Sequence, residues 1–359
     1  MLKQSDHSKE CQLDNYFNQA LYLEPGFFLN KNNMSKNFSL RSLLVRPEVA
    51  TFLMFLAIMI GFYIANERFL DARNIRIVMG ITPEYIIVAI GIAILMISGE
   101  FDLSVGSVFA LVPMTIVQMV HQGIPPWFAI FLGLMIGMIV GFVNGFITLR
   151  FGIPSFIATL GMLYIARSLT TVATAGFPPP FPHILPNELF VYQFELFRAS
   201  LYWALLVAVV LGVMLHRSNV GNWIYATGGD QNAASSMGIK TGNVKMFCFI
   251  LCGFLAGFAG MIQTFRLEAP LPSQGYLLEL ESIAAAVIGG VSLFGGIGTV
   301  FGAVIGAILI RFLESGIIMA RIDAEWFRAG LGSLIIIAVV FNTYISRRAT
   351  RIGQNKAED

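Results

Sequence analysis

The chain has 359 residues, of which 56% are hydrophobic and only 12% are charged, and its mean hydropathy is +0.74. Average soluble domains carry roughly 25% charged residues. This composition therefore excludes a soluble protein and predicts an all-α integral membrane protein. The formal net charge of +2 comes without a long basic run, which argues against a nucleic-acid partner.

Residues 1–45 are polar and lack the basic-then-apolar pattern of a cleaved signal peptide. We expect them to form a partly disordered cytoplasmic extension. Met34 begins a stretch that is typical of a protein start just before the first apolar run. Residues 1–33 are therefore interpreted either as a dispensable extension or as the product of a misassigned start site.

Apolar runs of ~17–25 residues are long enough to cross roughly 30 Å of hydrocarbon. Between the first two runs, Ile75, Val78 and Met79 share one helical face, which predicts a short interfacial helix within 66–81. The eighth run is short and rich in glycine. Ten spans are predicted within a transmembrane domain at 46–346, namely 48–66, 83–99, 104–121, 127–149, 154–175, 200–215, 245–265, 280–294, 298–319 and 326–346.

Cytoplasmic segments of membrane proteins carry an excess of Lys and Arg, and this rule sets the orientation. With ten spans and a cytoplasmic N-terminus, 14 of the 23 Lys and Arg residues fall in cytoplasmic segments and 7 in external ones. Arg68, Arg73 and Arg76 oppose this assignment, while the basic tail at 347–359 supports it. We therefore expect both termini, and the polar stretch 216–245, to lie in the cytoplasm.

An internal repeat links the fourth and ninth spans. The sequence GMIVGFVNGFITLRF at 137–151 aligns with GTVFGAVIGAILIRF at 298–312, and seven of 15 positions are identical. With five spans in each half, the copies cross in opposite directions, which suggests two inverted five-helix halves. Because glycine-rich helices also match by chance, close packing alone is the alternative. The glycines predicted to pack helices closely are Gly133, Gly137, Gly141 and Gly145 in the fourth span and Gly298, Gly302 and Gly306 in the ninth.

The segment SGEFDLSVGSV at 98–108 joins the second and third spans. A charged side chain at the bilayer centre costs roughly 2.5–3.5 kcal/mol or more, so two carboxylates here call for an explanation. One interpretation is a broken helix whose polar groups line or gate a pathway. The other is an interfacial turn in which Asp102 is the N-cap of the third span, without contact to a substrate. The candidate pathway residues are Glu100, Asp102, Ser104, Ser107 and, in the fourth span, Asn144.

The stretch from His216 to Lys245 is the longest polar interruption in the second half of the chain. Within it, Asp230 is a good N-cap, Gln231 to Met237 fits two turns of helix, and Gly238 stands where a left-handed C-cap belongs. A short exposed helix has little core to bury. It is therefore either a contact for a partner or part of an ordinary interhelical loop.

Several kinds of site are not indicated. The sequence has no GxxxxGK[ST] P-loop, so we expect any ATP to be hydrolysed by another subunit and no cofactor to be bound by this chain. The four histidines lack metal-ligand spacing, and no span carries a nucleophile and base in register, so neither a metal site nor an enzyme is indicated. Arg311 and Glu314, one turn apart, are expected to neutralise each other or to snorkel to the interface.

Three motifs resemble the membrane subunits of bacterial ribose-type sugar importers, the ATP-binding-cassette systems served by a periplasmic binding protein. They are DLSVGS at 102–107, YATGGDQNAASSMGI at 225–239 and the glycine-rich segment at 283–302. The motifs follow the family's order, and the resemblance covers about residues 45–346. The chain has EFDLS at 100–104 where the family more usually has GIDLS, which leaves the role of Glu100 open.

The resemblance implies a permease in the bacterial inner membrane that imports a monosaccharide, ribose or a similar pentose. It implies as partners an ATPase subunit, a periplasmic sugar-binding protein and a second permease chain, identical or paired. Nucleosides and autoinducer-type furanosyl compounds are the alternative substrates. A separate hypothesis is an ion-coupled secondary transporter that uses Glu100 and Asp102 as coupling carboxylates. The residues that the resemblance assigns to ATPase coupling are Tyr225, Ala226, Gly228, Gly229, Asp230, Ala233, Ala234, Gly238 and Ile239.

Overall fold

The computed structural model describes residues 47–195, 197–323 and 325–355, and within those ranges the side chains from 52 to 340. The predicted extension at 1–45 lies outside the described residues, as does the end of the basic tail, 356–359. The last helix continues through residues 347–355. The predicted end of the tenth span at 346 therefore marks where the basic residues begin, and not where the helix ends.

Helices build the described part of the chain, where the only β-type pairing is an isolated bridge between Gln193 and Arg198. A 3₁₀ turn covers Glu67–Leu70. The helices are α1 Pro47–Ala65, α2 Ala72–Ile97, α3 Val105–His121, α4 Pro126–Phe151, α5 Ser155–Ala173, α6 Asn187–Val191, α7 Ala199–Arg217, α8 Asn219–Gly229, α9 Gln231–Ser236, α10 Thr241–Leu267, α11 Leu278–Ile288, α12 Val300–Met319 and α13 Trp326–Asn355.

Six helices in the described ranges are long and apolar enough to cross a membrane by length and composition: α2, α4, α5, α7, α10 and α12. Helices α1, α3 and α13 contain shorter apolar stretches, at Phe52–Ala65, Val105–His121 and Trp326–Val340. Each of these helices overlaps a predicted span, although α2 begins 11 residues before its predicted span at 83–99. The all-α membrane class is therefore confirmed, while the number of crossings stays a prediction.

The predicted eighth span at 280–294 is wrong in extent. Helix α11 has only 11 residues and rises about 16 Å at 1.5 Å per residue, roughly half of the hydrocarbon thickness. The helix stops where the chain turns, because Gly290 has a φ of +89° and Gly295 and Gly296 also adopt positive φ. Residues 289–299, the α11–α12 turn, are therefore irregular.

The predicted interfacial helix within 66–81 is also wrong. Helix α2 begins at Ala72 and includes Ile75, Val78 and Met79 in one continuous element. Val78 is buried in a small cluster with Phe69 and Phe312. The apolar face that suggested an interfacial helix is thus partly covered by protein.

Helix α10 is the centre of the bundle and packs against α2, α3 and α4. A Cβ atom on Gly137 would lie 2.7 Å from the carbonyl oxygen of Gly253, closer than real Cβ contacts. One turn further along α4, a Cβ on Gly141 would overlap the carbonyl of Phe249. The glycines on α4 therefore allow the two backbones to approach closely.

The glycines of α12 occupy a similar position against α11. A Cβ atom on Gly302 would overlap the carbonyl of Gly289, and one on Gly306 would overlap that of Ala285. Both copies of the sequence repeat thus place glycines where a neighbouring backbone passes. Their shared arginine differs, because Arg150 is exposed whereas Arg311 is buried.

Candidate functional site

The polar stretch 216–245 is mostly helical, which corrects the expectation of a loop with one short helix. Helix α7 extends to Arg217, α8 and α9 follow, and α10 begins at Thr241. Helix α8 was missed, and Lys245 lies inside α10 rather than in a loop. The residues from 218 to 240 are called the α8–α9 segment below.

Helix α9 is delimited by the two residues that the sequence indicated. The Asp230 side chain accepts hydrogen bonds from the backbone N–H groups of Asn232 and Ala233, at 2.9 and 3.0 Å. It therefore satisfies two of the donors that a helix N-terminus leaves free. After the helix, Gly238 has a φ of +86° and turns the chain towards α10.

The outer face of α9 is open in this chain. Ala234 is 3% exposed and attaches the helix to the bundle, whereas Met237 at its end is 84% exposed. The predicted coupling residues also differ in exposure. Gly229, Asp230, Ala233 and Gly238 are exposed, Tyr225, Ala226, Gly228 and Ile239 are half-buried, and Ala234 is buried.

Helix α8 contacts two turns of the bundle at once. The Tyr225 hydroxyl donates to the Gly298 carbonyl at 2.7 Å, in the α11–α12 turn. The Gly296 N–H donates to the Ile97 carbonyl at 2.9 Å, which joins that turn to the end of α2. Gly228 lies so close to Ile97 that a Cβ atom would overlap its carbonyl oxygen. The α8–α9 segment therefore contacts the α11–α12 turn through the Tyr225 side chain and the end of α2 through the backbone of Gly228.

Three of the five predicted pathway residues, Asp102, Ser104 and Asn144, form one buried network at residues 98–104, the α2–α3 turn. The Asp102 carboxylate accepts from the backbone N–H and the hydroxyl of Ser104, at 2.7 and 2.6 Å. The Asn144 amide, on α4, donates to the Ser104 hydroxyl at 2.9 Å and lies 3.3 Å from Asp102. Helix α3 begins at Val105, and Ser104 is its N-cap residue. The prediction of Asp102 as the N-cap is therefore wrong by two residues.

Hydroxyl groups of α5 satisfy the free backbone of this turn. The Phe101 N–H donates to the Ser155 hydroxyl at 3.1 Å, and the Leu103 N–H donates to the Thr159 hydroxyl at 3.0 Å. Ser107, another predicted pathway residue, donates to a backbone carbonyl of α5 at 2.8 Å. Irregular backbone is tolerated inside an apolar bundle only when such partners exist. Hydrogen bonds with α5 thus stabilise the irregular turn between α2 and α3.

Glu100, the remaining pathway candidate, pairs with a lysine that sequence reasoning missed. The Lys245 ammonium donates to the Glu100 carboxylate at 2.7 Å and to the Gln231 side-chain oxygen at 2.9 Å. Lys245 is 7% exposed. A lysine at the polar start of α10 gave no local signal of its partner, because Glu100 lies 145 residues away.

Arg311 is the centre of a second buried charged group. Its guanidinium donates to Glu314 at 2.6 Å, as expected, and also to Glu281 on α11. The ring of Tyr85 lies 3.6 Å from the guanidinium carbon, close enough for a cation–π contact. The contacts to Glu281 and Tyr85 were missed because they come from other helices.

Arg167, on α5, binds backbone carbonyls rather than a carboxylate. It donates to the carbonyls of Pro272 and Gln274 at 2.9 and 2.8 Å, and to that of Gly106 at 3.0 Å. It thus fastens the segment before α11 to the start of α3. Across the described residues, no group of three His, Cys, Asp or Glu side chains could hold a metal ion.

Comparisons with known proteins agree with this architecture. A family model described as "Branched-chain amino acid transport system / permease component" matches residues 74–339. The chain belongs to this permease family. The matched range includes the α2–α3 turn, the α8–α9 segment and the α11–α12 turn.

Individual relatives of this permease cover most of its length. The ribose import permease protein RbsC of Bacillus subtilis is 34% identical over 83% of this chain and 93% of its own. The xylose/arabinose import permease protein XylH of Sulfolobus acidocaldarius is 31% identical over 86% of this chain and 88% of its own. The D-allose transport system permease protein AlsC of Escherichia coli is 30% identical over 81% and 90%. No solved structure matches the chain.

Proposed function

We propose that the chain is the membrane-spanning permease subunit of an ATP-driven, binding-protein-dependent importer of a monosaccharide, in a bacterial inner membrane. Its partners are an ATPase subunit, a periplasmic sugar-binding protein and a second permease chain. The names of the similar proteins include ribose, xylose, arabinose and allose, which are all monosaccharides and support this substrate class. A ribose-like pentose is the specific proposal.

The observation that carries the proposal is the open, capped helix α9 on a segment that touches two turns of the bundle. The exposed Met237 and the small Ala233 suit insertion into a cleft of an ATPase subunit. The sequence has no P-loop of its own, so the energy of ATP has to enter through such a contact. This proposal puts the α8–α9 segment and both termini in the cytoplasm, as the Lys and Arg distribution predicts.

We further propose that the pathway is built from two inverted halves. The packing of α4 against α10 and α3 has a counterpart in the packing of α12 against α2 and α11. Contacts between α3 and α5 have a counterpart between α11 and α13. These pairings support the alignment of the fourth and ninth spans. In this scheme the α2–α3 turn, with Asp102, Ser104, Ser107 and Asn144, gates the pathway.

The ion-coupled transporter is less well supported by the contacts. The Glu100 carboxylate is paired with the Lys245 ammonium at 2.7 Å, so its charge is already balanced without a transported ion. Asp102 accepts hydrogen bonds from three groups, the Ser104 N–H, the Ser104 hydroxyl and the Asn144 amide. Both carboxylates therefore have structural partners that an ion would have to displace.

A cysteine cross-linking experiment tests the proposed ATPase contact. The permease, with Cys11→Ser, receives a single exposed cysteine as Met237→Cys and is co-expressed with any P-loop ATPase encoded next to its gene. The new thiol is labelled with a thiol-reactive photo-cross-linker. We expect a cross-link between the two chains, because Met237 is exposed at the C-terminal end of α9. The native Cys248 and Cys252 are buried and should not react.

The matched control is Val172→Cys, at a residue that is 80% exposed near the far end of α5. Helix α5 starts beside the α2–α3 turn, where Ser155 accepts from Phe101. Val172 lies roughly 25 Å further along its axis, at 1.5 Å per residue. Cross-linking at Val172 but not at Met237, or no association with any neighbouring ATPase, would contradict the proposal.

A further inference from the structure

Lys245 connects three separate elements of the chain. It is the fifth residue of α10, and its ammonium donates to Glu100 at the α2–α3 turn and to Gln231 at the start of α9. The side chains of Lys245 and Glu100 are only 9% and 13% exposed. Because a buried charge is costly without a partner, these two groups hold each other in place.

The backbone of the α2–α3 turn connects this ion pair to the buried polar network. Glu100 stands two residues before Asp102, and the Glu100 N–H donates to the Leu95 carbonyl at 3.2 Å, at the end of α2. Asp102 in turn is bonded to Ser104 and lies near Asn144 on α4. Polar contacts therefore link α9 to Glu100 through Lys245, and two residues of backbone link Glu100 to the network that reaches α4.

Glu100 belongs to the α2–α3 turn, whose backbone is not helical and is held by contacts with other elements. Residues 98–104 lie between α2 and α3, and hydroxyls of α5 hold one side of the turn. On the side facing the α8–α9 segment, Lys245 bonds to Glu100, and Gly228 lies close to Gly99 and to Ile97, the last residue of α2. The Lys245 ammonium is in turn bonded to α9 through Gln231.

We propose that Lys245 is a positioning residue that transmits movement of α9 to the α2–α3 turn through its ion pair with Glu100. This inference rests on the proposed function, because it assigns a route between the ATPase contact and the pathway. Gln231 keeps the ammonium attached to α9, and Glu100 keeps it attached to the turn. Loss of either contact leaves an assembled complex that hydrolyses ATP without moving the turn.

The chain offers a matched control for this ion pair. Arg266 and Glu84 form a buried pair between α10 and α2, also at 2.7 Å. Neither residue contacts the α8–α9 segment in the described structure. A substitution of Glu84 therefore reproduces the cost of breaking a buried pair without breaking the proposed route.

The experiment measures sugar taken up per ATP hydrolysed. The complete complex, with its ATPase subunit and sugar-binding protein, is placed in liposomes and supplied with labelled D-ribose, D-xylose or D-allose. We expect Glu100→Gln and Lys245→Gln to lower the uptake per ATP by about 5-fold or more, the usual lower range for coupling between sites. Glu84→Gln should lower thermal stability and leave the ratio at the wild-type value.

A charge swap separates positioning from folding. In Glu100→Lys combined with Lys245→Glu, the Gln231 amide can donate to the new carboxylate, so both contacts can form again. We expect this double variant to recover at least half of the wild-type ratio. If the single variants do not fold, Gln231→Leu tests the same route from the exposed start of α9, and its ratio should also fall.

The outcomes separate the inference from the proposed function. A wild-type complex that shows no ATP-dependent uptake of any of the three sugars counts against the proposed function. A coupled wild-type complex whose Glu100→Gln and Lys245→Gln variants keep its ratio overturns the inference alone. An equal fall in Glu84→Gln overturns it too, because the effect would then belong to any buried ion pair.

Discussion

Replacing Gly228 with alanine tests how closely α8 has to approach the α2–α3 turn. A Cβ atom at this position would overlap the Ile97 carbonyl oxygen and lie 2.7 Å from the Gly296 nitrogen. Both neighbours are backbone atoms, so neither can rotate away as a flexible side chain could. The helix therefore has to move, or the two turns have to separate.

The expected magnitude follows from the overpacking of well-packed sites, which costs about 1–3 kcal/mol. At roughly 2–4 °C per kcal/mol in larger domains, the apparent midpoint of thermal unfolding should fall by roughly 2–12 °C. The assay is thermal unfolding of the purified permease in detergent, followed by size-exclusion chromatography with fluorescence detection. Uptake should fall as well, because the turn is displaced.

The neighbouring residue provides the control. A Cβ atom on Gly229 would have no heavy atom within 4 Å, although both glycines belong to α8. We expect Gly229→Ala to leave the thermal midpoint within about 2 °C of wild type, since a substitution into open space costs little. Equal midpoints for Gly228→Ala and Gly229→Ala would refute the close approach of α8 to the turn.

Three further predictions concern the bundle interior. Gly141→Ala should lower the free energy of unfolding by about 1–3 kcal/mol, because it separates α4 from α10. Its control, Gly161→Ala, has open space around the added Cβ and should be neutral or slightly stabilising. Equal unfolding midpoints for the two variants would contradict this prediction. Arg311→Met leaves two carboxylates without their cation, so about 3–5 kcal/mol should be lost in detergent unfolding, and an unchanged midpoint would refute the buried group. Asn144→Leu removes a donor from Asp102 and should cost about 1–3 kcal/mol; wild-type stability would show that the network is dispensable.

Local signals predicted much of the fold. Apolar runs located α1 to α5, α7, α10, α12 and α13, because lipid selects for continuous hydrophobicity along one segment. The same signal predicted too long a helix at 280–294, because a hydropathy scale treats glycine as compatible with a membrane span. The glycines here instead adopt positive φ, as at Gly290, and end the helix. Hydropathy does not register that conformational freedom.

In the functional site, too, local contacts could be predicted from the sequence and long-range contacts could not. The Asp230 cap and the Gly238 turn depend on neighbours within a few residues, so they could be predicted from one sequence. The pairs Lys245–Glu100 and Arg311–Glu281 join residues 145 and 30 positions apart. A single sequence contains no information on which distant charges meet. Only the folded arrangement of α2, α10, α11 and α12 brings them together.

The most direct test of the central claim is ATP-dependent sugar uptake by the reconstituted complex. The permease, the neighbouring P-loop ATPase and the secreted sugar-binding protein are placed in liposomes, and the uptake of labelled D-ribose, D-xylose and D-allose is measured with ATP and with a non-hydrolysable analogue. We predict uptake of at least one monosaccharide that needs ATP hydrolysis and the binding protein. Uptake that continues undiminished without the ATPase would contradict the account.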